Sequence, residues 1–110
     1  MKTNVADREL LELAAKACNA EYEVDADDYG IWLHSEIGGF SGAWDPINDD
    51  GDALRLAVKL RIDIEFDYEA VFAEGNYSEL LDEDHCKATR RAIVRAAAEI
   101  GKESHEEASN

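Results

Sequence analysis

The chain reads as an α+β domain: a mainly antiparallel sheet of three to four strands covered by three helices in helix/sheet/helix layers. Three observations lead there. Apolar residues recur at three- and four-residue spacing in three segments, and elsewhere they alternate with polar ones at period two. The connections between the alternating segments are short and turn-like, and no repeating βαβ pattern occurs, which favours hairpins over a parallel sheet.

Leu10, Leu11, Leu13, Ala14, Ala17 and Cys18 give the first amphipathic helix, from Asp7 to Cys18, with Asn4 or Asp7 able to cap it and Asn19 suited to the position after its end. Tyr22 and Val24 then alternate with Glu21, Glu23 and Asp25, Asp27-Asp28-Tyr29-Gly30 reads as a turn, and Ile31 to Ile37 forms a second strand, so 21–37 is a hairpin. Gly38-Gly39-Phe40-Ser41-Gly42 reads as a hairpin or interhelix loop. The second helix covers Ala53 to Arg61, with Leu54, Ala57, Val58, Leu56 and Leu60 as its apolar face. Asn48 or Asp49 is its N-cap, and Lys59 and Arg61 sit at the end that favours cations.

Ile62, Ile64 and Phe66 alternate strictly with Asp63, Glu65 and Asp67, a strand with one face of carboxylates. Tyr68, Ala70 and Phe72 continue it, or else a turn intervenes and Val71 to Ala73 forms another strand. Glu74-Gly75-Asn76-Tyr77 is a turn. Asp82-Glu83-Asp84 opens a last helix that runs through Ile100 and stops at Gly101, its buried face drawn from Ala88 or Thr89, Ala92, Ile93, Ala96, Ala97 and Ile100. Residues 1–102 make one α+β domain, and 103–110 form a flexible polar tail.

Charge is the outstanding feature of the composition. The 110 residues carry a formal charge of −15, and between Glu21 and Asp84 there are 19 acidic side chains against Arg55, Lys59 and Arg61. Four of the remaining cations, Lys87, Arg90, Arg91 and Arg95, fall in one short stretch. A surface of this sign makes DNA, RNA and anionic membranes poor direct ligands, because neutralising phosphate supplies most non-specific affinity. Hydrophobic content of 45% suffices for one core, and neither a secretory leader nor an 18-residue apolar run is visible. Cys18 and Cys86 belong to no CxxC pair, which points to a reducing compartment, with the cytoplasm as the expected location.

Several constellations invite chemistry and fail its requirements. With Gly51 at the sixth position of a calcium loop, Pro46 falls at the first ligand position and Ala57 at the twelfth, where Glu is needed, so Asp45 to Asp52 reads as helix capping. His85 and Cys86 are adjacent, project about 100° apart on a helix and do not face each other, so a first-turn His and a buried or semi-buried Cys are expected. The glycine loop lacks a following Lys-Ser/Thr and has acidic flanks that repel phosphate. No catalytic residue, metal site or cofactor is predicted. Lys87, Arg91 and Arg95 share a helical face and are expected to pair with sheet and loop carboxylates or with an adjacent subunit.

The blocks Trp44-Asp45-Pro46 with Asn48 to Leu60, and Ala88 to Gly101, together with the Leu-Ala-Ala-Lys-Ala run at 13–17, resemble a family of small phage and prophage proteins, the phage ABA-sandwich domain proteins. The resemblance implies a layered helix/sheet fold and a phage accessory product located in the host cytoplasm, and it brings no catalytic motif. Residues 21–43 and 63–84 are more acidic than that family pattern.

A 12.2 kDa protein has roughly 6,000 Å² of surface, so each excess charge has about 400 Å². B-DNA has roughly 100 Å² per charge. Imitation of nucleic acid therefore needs the carboxylates gathered on one side, away from the cations of the last helix. Period-two side chains ~6.6–6.8 Å apart on a strand approach the spacing of successive phosphates. The expected function is a non-enzymatic, phage-encoded inhibitor of a bacterial defence system, a CRISPR effector or restriction-type enzyme, whose basic nucleic-acid-binding surface it occupies. Asp63, Glu65, Asp67 and Glu69 on the strand, with Glu21, Glu23, Asp25, Asp27 and Asp28 on the hairpin, are the expected partner-binding residues. Two alternatives stand beside it: a homo-oligomeric accessory or structural protein, such as a homodimer, whose acidity serves solubility, and a small ligand-binding or enzymatic domain with no recognisable motif.

Overall fold

The computed structural model describes the backbone of residues 4–108 and the side chains of residues 4–104. Helix α1 (Val5–Ala17) starts where the Asn4 side chain accepts the Asp7 N–H at 2.8 Å. It closes with Asn19 in the left-handed region, φ 55°, while the Asn19 and Ala20 N–H groups return to the carbonyls of Lys16 and Ala15. Strands β1 (Tyr22–Val24), β2 (Ile31–Ile37) and β3 (Phe40–Trp44) follow as one antiparallel sheet in chain order. Helix α2 (Asp50–Leu60) is capped by Asp49, whose carboxylate accepts the Asp52 N–H at 2.8 Å, and ends at Arg61 in the left-handed region. Strands β4 (Ile64–Phe66), β5 (Ala70–Ala73) and β6 (Tyr77–Leu80) form a second antiparallel sheet, and α3 (His85–Ala108) completes the order.

The α+β class, the antiparallel pairing and the three helices are as the periodicity predicts. Among the described residues, however, the strands number six and divide between two three-stranded sheets. A helix followed by three antiparallel strands occurs twice before α3, a repetition of architecture with no visible period in the sequence. The glycine loop proves to be a tight hairpin, with Ile37 opposite Phe40 and both turn residues at positive φ, Gly38 at 60° and Gly39 at 83°. That backbone matches the twist of the flanking strands, which is why glycine fills both positions. Its return arm is β3, and the second unexpected strand is β6, paired through Ala73 and Tyr77 across Glu74-Gly75-Asn76.

Helix α3 packs against α1, α2, β5 and β6, whereas β2 meets α1 and α2. Its buried positions therefore run well round the helix: Ala88, Ala92, Ile93, Val94, Ala96, Ala97 and Ala98. Small side chains there let neighbouring elements approach, and Leu11, Leu33, Ile37, Leu56 and Val71 supply the volume of the shared core. Gly101 does not end the helix. A Cβ there would lie 1.9 Å from the Leu13 carbonyl oxygen, so glycine is needed for the close passage of α3 over α1, and the helix continues to Ala108. Of the tail expected over 103–110, residues 103–108 are helical and 109–110 lie outside the described residues, as do residues 1–3 of the expected domain.

The arginines of α3 tie the architecture together. Arg91 reaches Asp7 of α1 at 2.9 Å, Arg90 reaches Asp50 of α2 at 2.6 Å and the Ile47 carbonyl at 2.8 Å, and Arg95 reaches Glu79 and the Ser78 carbonyl of β6. Pairs of this kind, from the largely exposed Asp50 to the more buried Asp7, add little stability singly and link α3 to three different elements. No helix among the described residues is long and apolar enough to cross a membrane.

Candidate acidic interaction surface

All nine carboxylates singled out from the sequence are exposed. They fall into two groups, one in each sheet, and each group belongs to an edge strand, β1 or β4. Glu21, Glu23 and Asp25 project from the β1 side of the first sheet, with Asp27 and Asp28 in its turn. Asp63, Glu65 and Asp67 flank and interrupt the apolar residues of β4, and Glu69 lies in the turn to β5.

The hydrogen bonds separate structural carboxylates from free ones. Asp25 Oδ1 accepts the N–H groups of Asp27 (2.8 Å) and Asp28 (3.1 Å), and these bonds hold its pKa below the ordinary carboxylate range. Asp28 Oδ1 accepts the Gly30 N–H at 2.8 Å. Asp67 Oδ1 does the same for Glu69 and Ala70, both at 2.8 Å, closing the β4–β5 turn. These three shape their turns as Asx motifs. Glu23 Oε1 lies 3.1 Å from Nε2 of His34 on the neighbouring strand, beside the half-exposed Trp32 that faces Glu23 in the register. Among these nine side chains, Glu21, Asp27, Asp63, Glu65 and Glu69 make no such local bond.

Cation placement bears on the charge density directly. Arg90, Arg91 and Arg95 are matched to Asp50, Asp7 and Glu79, none of which belongs to either edge group. The three arginines of α3 are thus matched away from the edge carboxylates, while Lys87, expected to pair with them, is exposed and makes no ion pair among the described residues. A total surface of 6840 Å² shared by 15 excess negative charges gives about 460 Å² each, still several times sparser than the roughly 100 Å² of B-DNA. Only the local rows on β1 and β4 approach a phosphate-like spacing.

The Asp45 to Asp52 run is structural. Asp45 accepts the N–H groups of Ile47 and Asn48 and the Asn48 side-chain amide, and Asp52, only 4% exposed, accepts the Asp45 N–H at 2.9 Å and binds Arg55 at 2.5 Å. The Arg55 guanidinium also stacks on Phe40, 4.7 Å from the ring centre. No group of three or more potential metal ligands occurs among the described residues.

Three expectations about apolar and thiol residues are corrected. Cys86 is exposed, because it lines an open groove shared with α2 and β4 rather than a closed interface, whereas Cys18 is buried and its thiol is pushed up to about 11 by that burial. On α2 the buried residues are Ala53, Leu56 and Ala57, so Leu54 and Val58 face outward at 63% and 68% exposure. Phe66, expected inside by alternation, is 60% exposed. Its side of the sheet is shared with the buried Val71 and Ala73, but the helices do not extend over the β4 end. Apolar residues all round α2 were the one sequence signal for this uncovered patch.

No family model, curated protein or solved structure matches the chain.

Proposed function

We propose that this protein is a non-enzymatic inhibitor that binds a positively charged, nucleic-acid-binding protein through the carboxylates of β1 and β4. In its sharpest form the target is a bacterial defence effector, RNA-guided or restriction-type, encountered in the host cytoplasm, as the resemblance of Trp44 to Leu60 and Ala88 to Gly101 to phage ABA-sandwich proteins implies. The observation that carries this reading is the pairing of the α3 arginines with Asp7, Asp50 and Glu79, so that these three cations offset neither edge row. Like-signed rows steer a cationic partner and raise its association rate, an effect that weakens as salt shortens the Debye length to ~8 Å at physiological ionic strength.

A test uses reversal to Lys at Glu21, Asp27, Asp63, Glu65 and Glu69, which hold no turn together. Loss of inhibition of a purified effector's DNA binding, with the circular dichroism spectrum unchanged, supports the reading. Undiminished inhibition by the folded variant refutes it. Placement of both groups on edge strands favours a second reading, in which the charges prevent sheets of different molecules from pairing edge to edge. Aggregation of the reversed variant without any change in partner binding would select that one.

A further inference from the structure

The first sheet turns one face to the core and exposes the other. Tyr22, Val24, Ile31, Leu33 and Trp44 pack inward, so their alternating neighbours Glu23, Trp32, His34, Ser41 and Ala43 share the outer face, all of them exposed. Trp32 stands at its centre, opposite Glu23 on β1 and Ala43 on β3, and is 52% exposed. Its indole leans across β3, where a Cβ on Gly42 would come within 3.9 Å of Cζ2 and Cη2, and the small side chains of Ser41 and Ala43 leave the ring uncovered. Directly opposed residues of antiparallel strands project to one face with Cβ atoms about 4.5–5.5 Å apart, so the Glu23 carboxylate and the indole are neighbours. Glu21 follows two residues away on the same side of β1, where its carbonyl accepts the His34 N–H at 2.7 Å.

An indole face is the best side-chain platform for a cation. Elsewhere the fold fills such platforms itself: the guanidinium carbons of Arg8, Arg55 and Arg95 lie 5.2, 4.7 and 5.6 Å from the ring centres of Tyr29, Phe40 and Tyr77. Trp32 has no such arginine among the described residues, and residues 17–54, which supply the whole sheet, contain no Lys or Arg. Glu23 is 68% exposed, and only its Oε1 has a neighbour, Nε2 of His34 at 3.1 Å. Carboxylate beside an aromatic plane suits arginine above other side chains, because its flat, weakly hydrated guanidinium stacks on a ring while its N–H fork meets a carboxylate. A nucleobase would also stack, but Glu21 and Glu23 repel the phosphate it carries. A second copy would present the same acidic face, with no cation on it. We propose that Trp32 is the stacking platform for an arginine of the partner, whose guanidinium Glu23 binds. The inference rests on the reading of a cationic partner and deepens it: the anchor of the interface lies on the β1–β2 face, and the partner is selected for arginine rather than for positive charge alone. Tryptophan and arginine are among the residues that dominate binding at protein interfaces.

Two synthetic peptides of equal charge and without aromatic residues test it, one of alternating arginine and glycine and one with lysine at every arginine position. Binding is read by fluorescence anisotropy of a label on the peptide at fixed ionic strength. Contact with the ring is read by protection of the protein's indole emission from acrylamide, to which Trp44, the second of the two tryptophans and 2% exposed, contributes little. The arginine peptide is expected to bind about fivefold more tightly than the lysine one, about 1 kcal/mol, and to shield the indole. Trp32→Ala is expected to bring it down to the lysine level, and Glu23→Gln to remove part of the preference. Glu65→Gln, in the other sheet, is expected to leave the preference intact. Equal affinity of the two peptides for the wild-type protein, without shielding of the indole, overturns the Trp32 platform and leaves the charge reading standing; absence of binding by either overturns both. An arginine preference that survives Trp32→Ala overturns the platform as well. Stronger shielding by a single-stranded oligonucleotide than by the arginine peptide does so too, since a base would then be the ring's ligand, as does sedimentation showing a dimer that Trp32→Ala dissociates. The wild-type comparison of the two peptides needs no variant and decides the matter even if a substitution unfolds the chain.

Discussion

Replacing Gly101 by Ala adds one methyl group at the place where α3 crosses α1. On an exposed helix this change stabilises by roughly 1 kcal/mol, because alanine is the better helix former. Here the new Cβ would lie 1.9 Å from the Leu13 carbonyl oxygen, 2.8 Å from the Leu13 carbonyl carbon and 3.1 Å from the Ala17 nitrogen. An unstrained carbon–oxygen approach is about 3.3 Å, so the helices must part locally by roughly 1.4 Å. A gap of 0.5–1 Å already forfeits a quarter to a half of a contact's dispersion energy, and the contacts at stake bury Leu11, Ala14 and Ala15 against the central helix. The obstacle is backbone, which cannot swing aside as a flexible side chain would. The expected cost is about 3 kcal/mol, at the upper end of overpacking effects. Urea unfolding followed by far-ultraviolet dichroism measures it, with the exposed Lys102→Ala as the neutral control. A Gly101→Ala protein as stable as the parent, or more stable, would refute the close crossing and restore the reading of Gly101 as a helix terminator.

Further outcomes follow from single groups. Asp52→Ala strands the Asp45 N–H and loosens the half-buried Arg55, so denaturation should show a loss of about 2–4 kcal/mol, against under 1 kcal/mol for removing the exposed Asp63 carboxylate. In the native protein a disulfide-exchange reagent should consume Cys86 quickly and Cys18 only on unfolding, since burial pushes the Cys18 thiol up to about 11; two equally fast thiols would contradict the buried α1 end. Burial, then the charge and hydrogen bond of Glu12, raise the Tyr22 phenol from 10.0 to about 12. Its contribution to stability is therefore complete below pH 10 and is lost as pH rises through about 12, and Tyr22→Phe should remove that part of the alkaline loss.

Much of the local structure was legible in the sequence because short-range chemistry determines it. Asn4 and Asp49 were readable as caps, Asn19 as the residue that closes α1, and the alternation through Ile64 placed β4. Strands β3 and β6 were hidden because Gly42 interrupts one and because their first residues, Phe40 and Tyr77, directly follow the turn residues Gly38-Gly39 and Gly75-Asn76. The face of α2 that would be covered was not legible: Leu54 and Leu56 look equivalent to a periodicity argument, and only the position of α3 and the first sheet decides between them. The same limit applies to Phe66, whose alternation is correct although nothing covers its end of the sheet. For the candidate surface, exposure of all nine carboxylates could be anticipated from their charge, whereas the role of Asp25, Asp28 and Asp67 in turn formation required the backbone geometry. That the α3 arginines would find Asp7 and Asp50 on helices, and Glu79 on a strand, also depended on tertiary placement.

The position of α3 in chain order governs how the molecule can be made. Both helix-and-three-strand units are synthesised before it, at ~5–20 residues per second, yet Val71 and Ala73 of one unit and Leu11 and Ala14 of the other have their principal packing partner in α3. For the seconds before Ala88 to Gly101 emerges, the nascent chain has helix and hairpin signals but no common interior, and its many carboxylates keep such half-formed chains apart. Folding is thus committed late and as a whole, and a fragment ending at Leu81 should remain expanded rather than form half a protein.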